Sequence, residues 1–362
     1  MSSRFVVIMA GGRGERFWPQ SRQQKPKHLL PIVGDKPMLT QTVERLKGFV
    51  PAKNVLIITN REQAATVREI CPSLPAKNII AEPVGRDTAA AIGLAMVLVK
   101  DRDPEASFAM LPADHVINDV KAFHQTLEKA FVYARENEKL ITIGIPPTYP
   151  ATGFGYIQKG DELEKVKGES IYDVRRFVEK PDQQTAEDYL ASKDYYWNAG
   201  MFVWRVDVIE KAFADYTPGL HHGLLKLSRA LSEKQDIDEL LDELYPDLDK
   251  ISIDYAIMEK CPEVVTIEAG FDWDDVGAWP AVSSHYPADE AGNVIKGTGF
   301  VQEGRNNLIF SEGDHAVTAI GVEDLIVVHT PDATLICPKS KAQEIKKLVQ
   351  SLGKSEELKK YL

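Results

Sequence analysis

The sequence predicts an α/β fold: a doubly wound, mostly parallel sheet with a small β-rich C-terminal domain. Three observations carry this. Across residues 1–150, short β-branched runs alternate with helix-like stretches, the pattern of parallel strands joined by crossover helices. The first of these runs ends in a glycine-rich basic turn, where such sheets hold phosphate. From about residue 287 the texture shifts to short β runs separated by turns. The expected domains are therefore residues 1–286, carrying the chemistry, and residues 287–362, a β-rich domain closed by a helix.

Taken in order, the strands fall at residues 5–9, 55–59, 78–81, 108–111 and 140–144. Helix-like stretches lie between them at 38–49, 63–70, 88–100 and 121–137. The apolar window 89–99 is far short of the ~20 residues that span a bilayer, so it reads as a buried helix. From about Gly153 the pattern becomes mixed, with strands at 153–157, 173–179 and 200–204 and helices around 206–214 and 220–245. Turns at 297–299, 304–307 and 313–314 punctuate the last part, and residues 346–362 read as a terminal helix. The loops at 11–27, 82–88 and 114–115 each follow a strand, so they are expected on one rim.

The net charge of −11 argues against general nucleic-acid binding, which needs a broad basic face. An acidic protein that binds a polyanion must concentrate its cations locally or recruit a metal. Three scattered cysteines, Cys71, Cys261 and Cys337, suggest neither a disulfide framework nor a zinc site. Free thiols in a reducing compartment and no membrane segment lead to a cytoplasmic expectation.

The opening segment AGGRGERFWPQSRQQKPKHLLPI starts at Ala10. Gly11, Gly12 and Gly14 let backbone N–H groups approach a polyanion, and Arg13, Arg16 and Lys27 add charge. It is neither a dinucleotide fingerprint, since Phe17 holds the third glycine position, nor a P-loop, since Arg16 holds the second. Next comes EPVGRDTAAA from Glu82. On its own it is an ordinary helix start with Asp87 or Thr88 as cap, yet Glu82 could accept the adjacent N–H donors that guanine presents and adenine does not. Asp114 in LPADH closes the fourth strand, where a carboxylate beside a phosphate loop suits Mg²⁺ or a turn. Glu179-Lys180 and Asn198 are commonplace singly. Together they offer a carboxylate and an amide to sugar hydroxyls and an ammonium to a phosphate. FDWDDVGAW places Asp272, Asp274 and Asp275 within four positions, a cluster that is costly unless solvated or neutralised by a cation.

Read together in order, AGGRGERFWP, PKHLLPI, EPVGRDTAAAI, LPADHVI, TGFGYI, FVEKP, NAGMFVW, DYAIMEK and WDDVGAW resemble the sugar-phosphate nucleotidyltransferases. The likeness is greatest to their short, single-function bacterial guanylyltransferases and extends weakly into IGVEDLIVVHTPDATLI. The resemblance implies a nucleotide-diphospho-sugar transferase fold and GMP transfer from GTP to α-D-mannose 1-phosphate, with pyrophosphate released. It implies that Ala10, Gly11, Gly12, Arg13 and Gly14, with Glu82, Pro83, Arg86, Thr88 and Asp114, hold the nucleotide. Arg16 and Lys27 would take the β- and γ-phosphates, and Lys180 the sugar phosphate and α-phosphate. Gly155, Glu179 and Asn198 would bind the sugar, and Asp114 and Asp275 would hold Mg²⁺. The family often has a small polar residue at position 274, so Asp274 stands as a possible second ligand. A homodimer through the C-terminal β region is likewise implied by resemblance. The alternatives are a nucleotidyltransferase for another base or sugar, and a non-catalytic subunit that senses GDP-mannose.

Overall fold

A computed structural model describes residues 3–12, 14–166, 169–233 and 235–362. Its contacts divide into two units that interleave along the chain. The first comprises Met1–Gly11, Val43–Ala113 and Ile117–Trp273; the second comprises Gly12–Thr42, Asp114–Val116 and Asp274–Leu362. Residues 12–42 thus pack with the C-terminal segment rather than with the strand that precedes them.

The first unit is built on nine strands: β1 (Arg4–Ala10), β2 (Val55–Asn60), β3 (Ile79–Glu82), β4 (Ser107–Pro112), β5 (Leu140–Ile145), β6 (Gly155–Val166), β7 (Glu169–Glu179), β8 (Tyr195–Arg205) and β9 (Val264–Glu268). Their order is β3-β2-β1-β4-β8-β5-β9-β7-β6, and only β7 and β8 run against the rest, so the sheet is mostly parallel. β1, β2 and β4 are buried almost throughout, as parallel strands covered on both faces must be. The helix Asp87–Arg102 is buried from Ala89 to Val99, which explains its unbroken apolar run. At Gly93 a Cβ would lie 2.4 Å from a Leu224 methyl, so glycine admits the helix Pro218–Ser232 at close range. That helix and Ile237–Leu244 divide what reads in sequence as one stretch, 220–245. Strand β9 lies outside the sequence expectation: VVTIE is a short apolar run among helices, with no alternation to mark it.

In the second unit the β runs stack as coils. β10 (Val294–Lys296), β12 (Leu308–Ser311) and β14 (Leu325–His329) pair in parallel, with β15 (Thr334–Pro338) antiparallel at the edge. β11 (Gly299–Gln302) and β13 (Val317–Ile320) form a second parallel pair. An asparagine ladder ties two coils: Asn307 donates from N and Nδ2 to Asn293 Oδ1, at 3.0 and 2.9 Å. Both residues are almost fully buried, so their amides satisfy the turn backbone where water cannot. Val294, Leu308, Phe310, Ile326 and Val328 share a core with Phe17, Trp18 and Trp279. The terminal helix is shorter than expected: Ile345–Leu352, then turns and a final 3-10 turn at Lys359–Tyr361.

Candidate active site

The second unit gathers four of the expected residues round one cavity of about 560 Å³. Arg16, Lys27, Asp114 and Asp275 line it, with Gly14 and Gly277. Gly14 makes the approach possible: its φ is +62°, and a Cβ there would sit 2.6 Å from Lys27 Cβ. Lys27 opens a 3-10 turn, Lys27–Leu29, and is buried along its stem. Its ammonium donates to Asp114 Oδ2 at 2.9 Å and to the Asp275 carbonyl at 2.5 Å. Burial would raise the Asp114 carboxyl, but Lys27 and the neighbouring histidines outweigh it and hold it down at about 2. Asp275 goes the other way. Burial, opposed by Lys27 and reinforced by the negative charges of Asp274 and Asp114, pushes it up to about 6.

Arg16 stands on the short turn Glu15–Phe17, and its Nε is buried with no hydrogen-bond partner among the described residues. A buried donor left unpaired beside an open cavity is a place for an acceptor from a ligand. Asp274 is already committed: Oδ1 accepts from Val276 N at 2.7 Å and Oδ2 meets His285 Nε2 at 2.8 Å. Sequence reasoning missed Lys346 and Gln350, which reach the same cavity from the terminal helix. Arg13 lies outside the described residues, and Gly12 is exposed with open space where a Cβ would be.

The first unit holds the rest. Ala10 ends β1, its carbonyl accepting from Thr59 Oγ1 at 2.8 Å. Gly11 follows, and a Cβ there would lie 3.6 Å from Glu82 Oε2, so the start of the loop and the end of β3 adjoin. Glu82 is buried, and the hydroxyl of buried Tyr245 donates to its Oε1. Burial pushes its carboxyl up to about 7 against the lowering effect of that bond. Tyr245 is a partner the sequence does not announce. Pro83 and Arg86 follow in the turn, and Arg86 Nε is also buried without a partner among the described residues. The expected cap is not made as drawn: Arg86 precedes the helix without a side-chain cap bond, and Thr88 Oγ1 instead accepts from Ile253 N at 2.9 Å.

Gly155 and Glu179 face each other across β6 and β7, and a Cβ on Gly155 would fall 2.6 Å from Glu179 Oε2. The glycine is therefore what lets the carboxylate lie over the strand. Lys180 takes φ +47°, a left-handed conformation costing a non-glycine residue about 1–3 kcal/mol. Its ammonium pairs with Glu179 Oε1 and is otherwise well exposed. Asn198, on β8, donates from Nδ2 to Asp254 Oδ1 at 3.1 Å. Asp254 opens a π-helical turn, Asp254–Met258, within the DYAIMEK segment.

Two family models cover the chain: Nucleotidyl transferase over residues 5–292, and MannoseP isomerase/GMP-like beta-helix domain over residues 302–352. The chain is 39% identical to a mannose-1-phosphate guanylyltransferase of Klebsiella pneumoniae over 352 residues, covering 97% of this chain and 74% of that protein. It is 37% identical to the enzyme of that name in Escherichia coli K12 over 355 residues, with the same coverage. A crystal structure described as mannose-1-phosphate geranyltransferase from Thermus thermophilus superimposes with a TM-score of 0.83 at 33% identity, covering 96% of this chain and 99% of that one. These likenesses show that the chain belongs to the nucleotidyl transferase family and is a nucleotidyltransferase carrying a MannoseP isomerase/GMP-like beta-helix domain.

Proposed function

We propose that the chain transfers GMP from GTP to α-D-mannose 1-phosphate, giving GDP-mannose and pyrophosphate. The observation that carries this is the Lys27 ammonium held between Asp114 and Asp275 in a cavity that Arg16 also lines. The relatives' names supply the substrates.

The attacking group is a phosphate monoester with a second pKa of about 6, already largely dianionic at neutral pH and in no need of a general base. The barrier lies in bringing two anions together in line at the α-phosphate. In this reading Arg16 and Lys27 take up charge on the departing pyrophosphate, and Lys180 neutralises the sugar phosphate and α-phosphate. Ala10, Gly11, Gly12, Arg13 and Gly14 hold the nucleotide, with Arg86 and Thr88 supporting it, while Glu82 accepts the guanine N–H pair. Glu179 and Asn198 bind sugar hydroxyls beside Gly155.

The donor set of Asp114 and Asp275 fits Mg²⁺: both are hard oxygen ligands, and a cation would offset the burial, and the lesser repulsion from Asp274 and Asp114, that raise Asp275. Bound there, Mg²⁺ would supply charge neutralisation at phosphate oxygens. Asp274 is left to its His285 and backbone bonds. We read the protein as cytoplasmic, from three unpaired cysteines, and as a homodimer through its C-terminal β coils. No described helix is long and apolar enough to cross a membrane.

Pyrophosphate release across a grid of nucleoside triphosphates and sugar 1-phosphates tests the assignment. The highest kcat/KM is expected with GTP and mannose 1-phosphate, and chelation of divalent ions should abolish it. Preference for UTP with glucose 1-phosphate would replace base and sugar together, and no turnover with any pair would favour a sensing subunit.

A further inference from the structure

Asn198 has four hydrogen-bonding valences, two at the carbonyl and two at the amide nitrogen. Both acceptor valences are filled. Thr142 Oγ1 donates to Oδ1 at 3.1 Å, the shorter of its two acceptor contacts (the other is the Met201 carbonyl at 3.4 Å), and Gly200 N does so at 3.1 Å, from a glycine at φ +63°. The amide orientation is thereby set, and one of its N–H groups goes to Asp254 Oδ1 at 3.1 Å. A single N–H remains for a ligand, so Asn198 can serve a sugar hydroxyl only as donor. A hydroxyl oxygen that accepts it must still place its own proton.

Asp254 is positioned to receive that proton. Its turn is anchored next door, where Ile253 N binds Thr88 Oγ1 and Ala89 N binds the Ile251 carbonyl at 3.1 Å. Asp254 is half-buried, its own backbone N–H also meets the carboxylate, and Asn198 is the one other side chain hydrogen-bonded to it among the described residues. The charge of Glu179 also bears on it. Two carboxylates so placed repel each other, a repulsion that the Lys180 ammonium paired with Glu179 offsets in part and that hydroxyl donors would relieve further. Asp254 opens a short π-helical turn, Asp254–Met258, a rare backbone geometry that occurs frequently at functional sites.

We propose that Asp254 is a third sugar-recognition residue, accepting the proton of the same hydroxyl to which Asn198 donates, while Glu179 takes a neighbouring hydroxyl. This rests on the reading of the chain as a sugar-1-phosphate nucleotidyltransferase. Glu179 and Asn198 both lie against Gly155, so the site suits a hexose 1-phosphate with neighbouring hydroxyls, and the proposal gives DYAIMEK a task in specificity.

The test pairs Asp254→Asn with a set of monodeoxy sugar 1-phosphates, using whichever hexose 1-phosphate the wild type turns over best. Identity of the sugar is thus settled by the wild type alone, separately from the role of Asp254. Wild type should lose about ten-fold or more in kcat/KM for one deoxy analogue, and Asp254→Asn should lose the same for the parent sugar but nothing further for that analogue. The KM for GTP should stay within about two-fold. Asp254→Ser, smaller and still polar, is carried alongside, with thermal unfolding to confirm that the variants fold. An equal penalty on the parent sugar and every deoxy analogue would overturn direct contact, as would a change falling on GTP.

Discussion

Single residues would set the chemistry of the proposed nucleotide end, and Glu82 illustrates how. Burial holds its carboxyl at about 7, above its ordinary 4.5, so it is half protonated near neutrality. Accepting two N–H donors requires the ionised form, so the KM for GTP should rise as pH falls through about 7. Glu82→Gln should give a KM about ten-fold higher and flat across that range, the cost of a lost charged acceptor. A variant with the wild-type pH profile would sink the assignment. Stability runs in the opposite sense. The contribution from protonated Glu82 is full below 4.5 and lost as pH rises through about 7, so Glu82→Gln should flatten that decline in denaturant midpoint. At the sugar end, Gly155→Ala puts a Cβ 2.6 Å from Glu179 Oε2 and must displace the carboxylate. We expect the KM for the sugar phosphate to rise about ten-fold with GTP little affected; the reverse pattern would show that Glu179 has another task.

At the scale of elements, the strand ends and their turns were legible, because the signals are local. β-branched runs, glycines and strand-end carboxylates stand side by side in the chain, and β1, β3 and β4 appear close to where the pattern puts them. The coils of the last part were less so. Their strands have only three to five residues, and parallel stacking leaves little alternation to read. The terminal helix shows the same limit from another side. Its sequence is merely charged, yet the fold brings Lys346 to the cavity lined by Arg16 and Lys27. Lys346→Glu should therefore raise the KM for GTP by about three- to ten-fold, more at low salt, without affecting the sugar phosphate. An unchanged KM at low ionic strength would make Lys346 a bystander.

For the whole molecule, the C-terminal coils leave Phe300, Ile320 and Ile336 more than 60% exposed. Large apolar side chains so placed are what a second copy would cover. Sedimentation should show a dimer, and Phe300→Asp with Ile336→Asp should shift it toward monomer; a monomeric wild type at micromolar concentration would remove the homodimer from the proposal.

What the sequence by itself determined is the fold class and the order of motifs, with the residue types on which the proposal for phosphate, sugar and cation rests. Periodicity, glycine and charge are local quantities that survive without a structure. Tertiary structure decided which residues meet. Tyr245 binds Glu82 across 163 positions, and Lys27 reaches the Asp275 carbonyl across 248. It also committed Asp274 to His285 and brought Asp254 to Asn198. The reason is physical: burial and hydrogen-bond satisfaction are set by neighbours in space, and such neighbours leave no periodic trace in the chain.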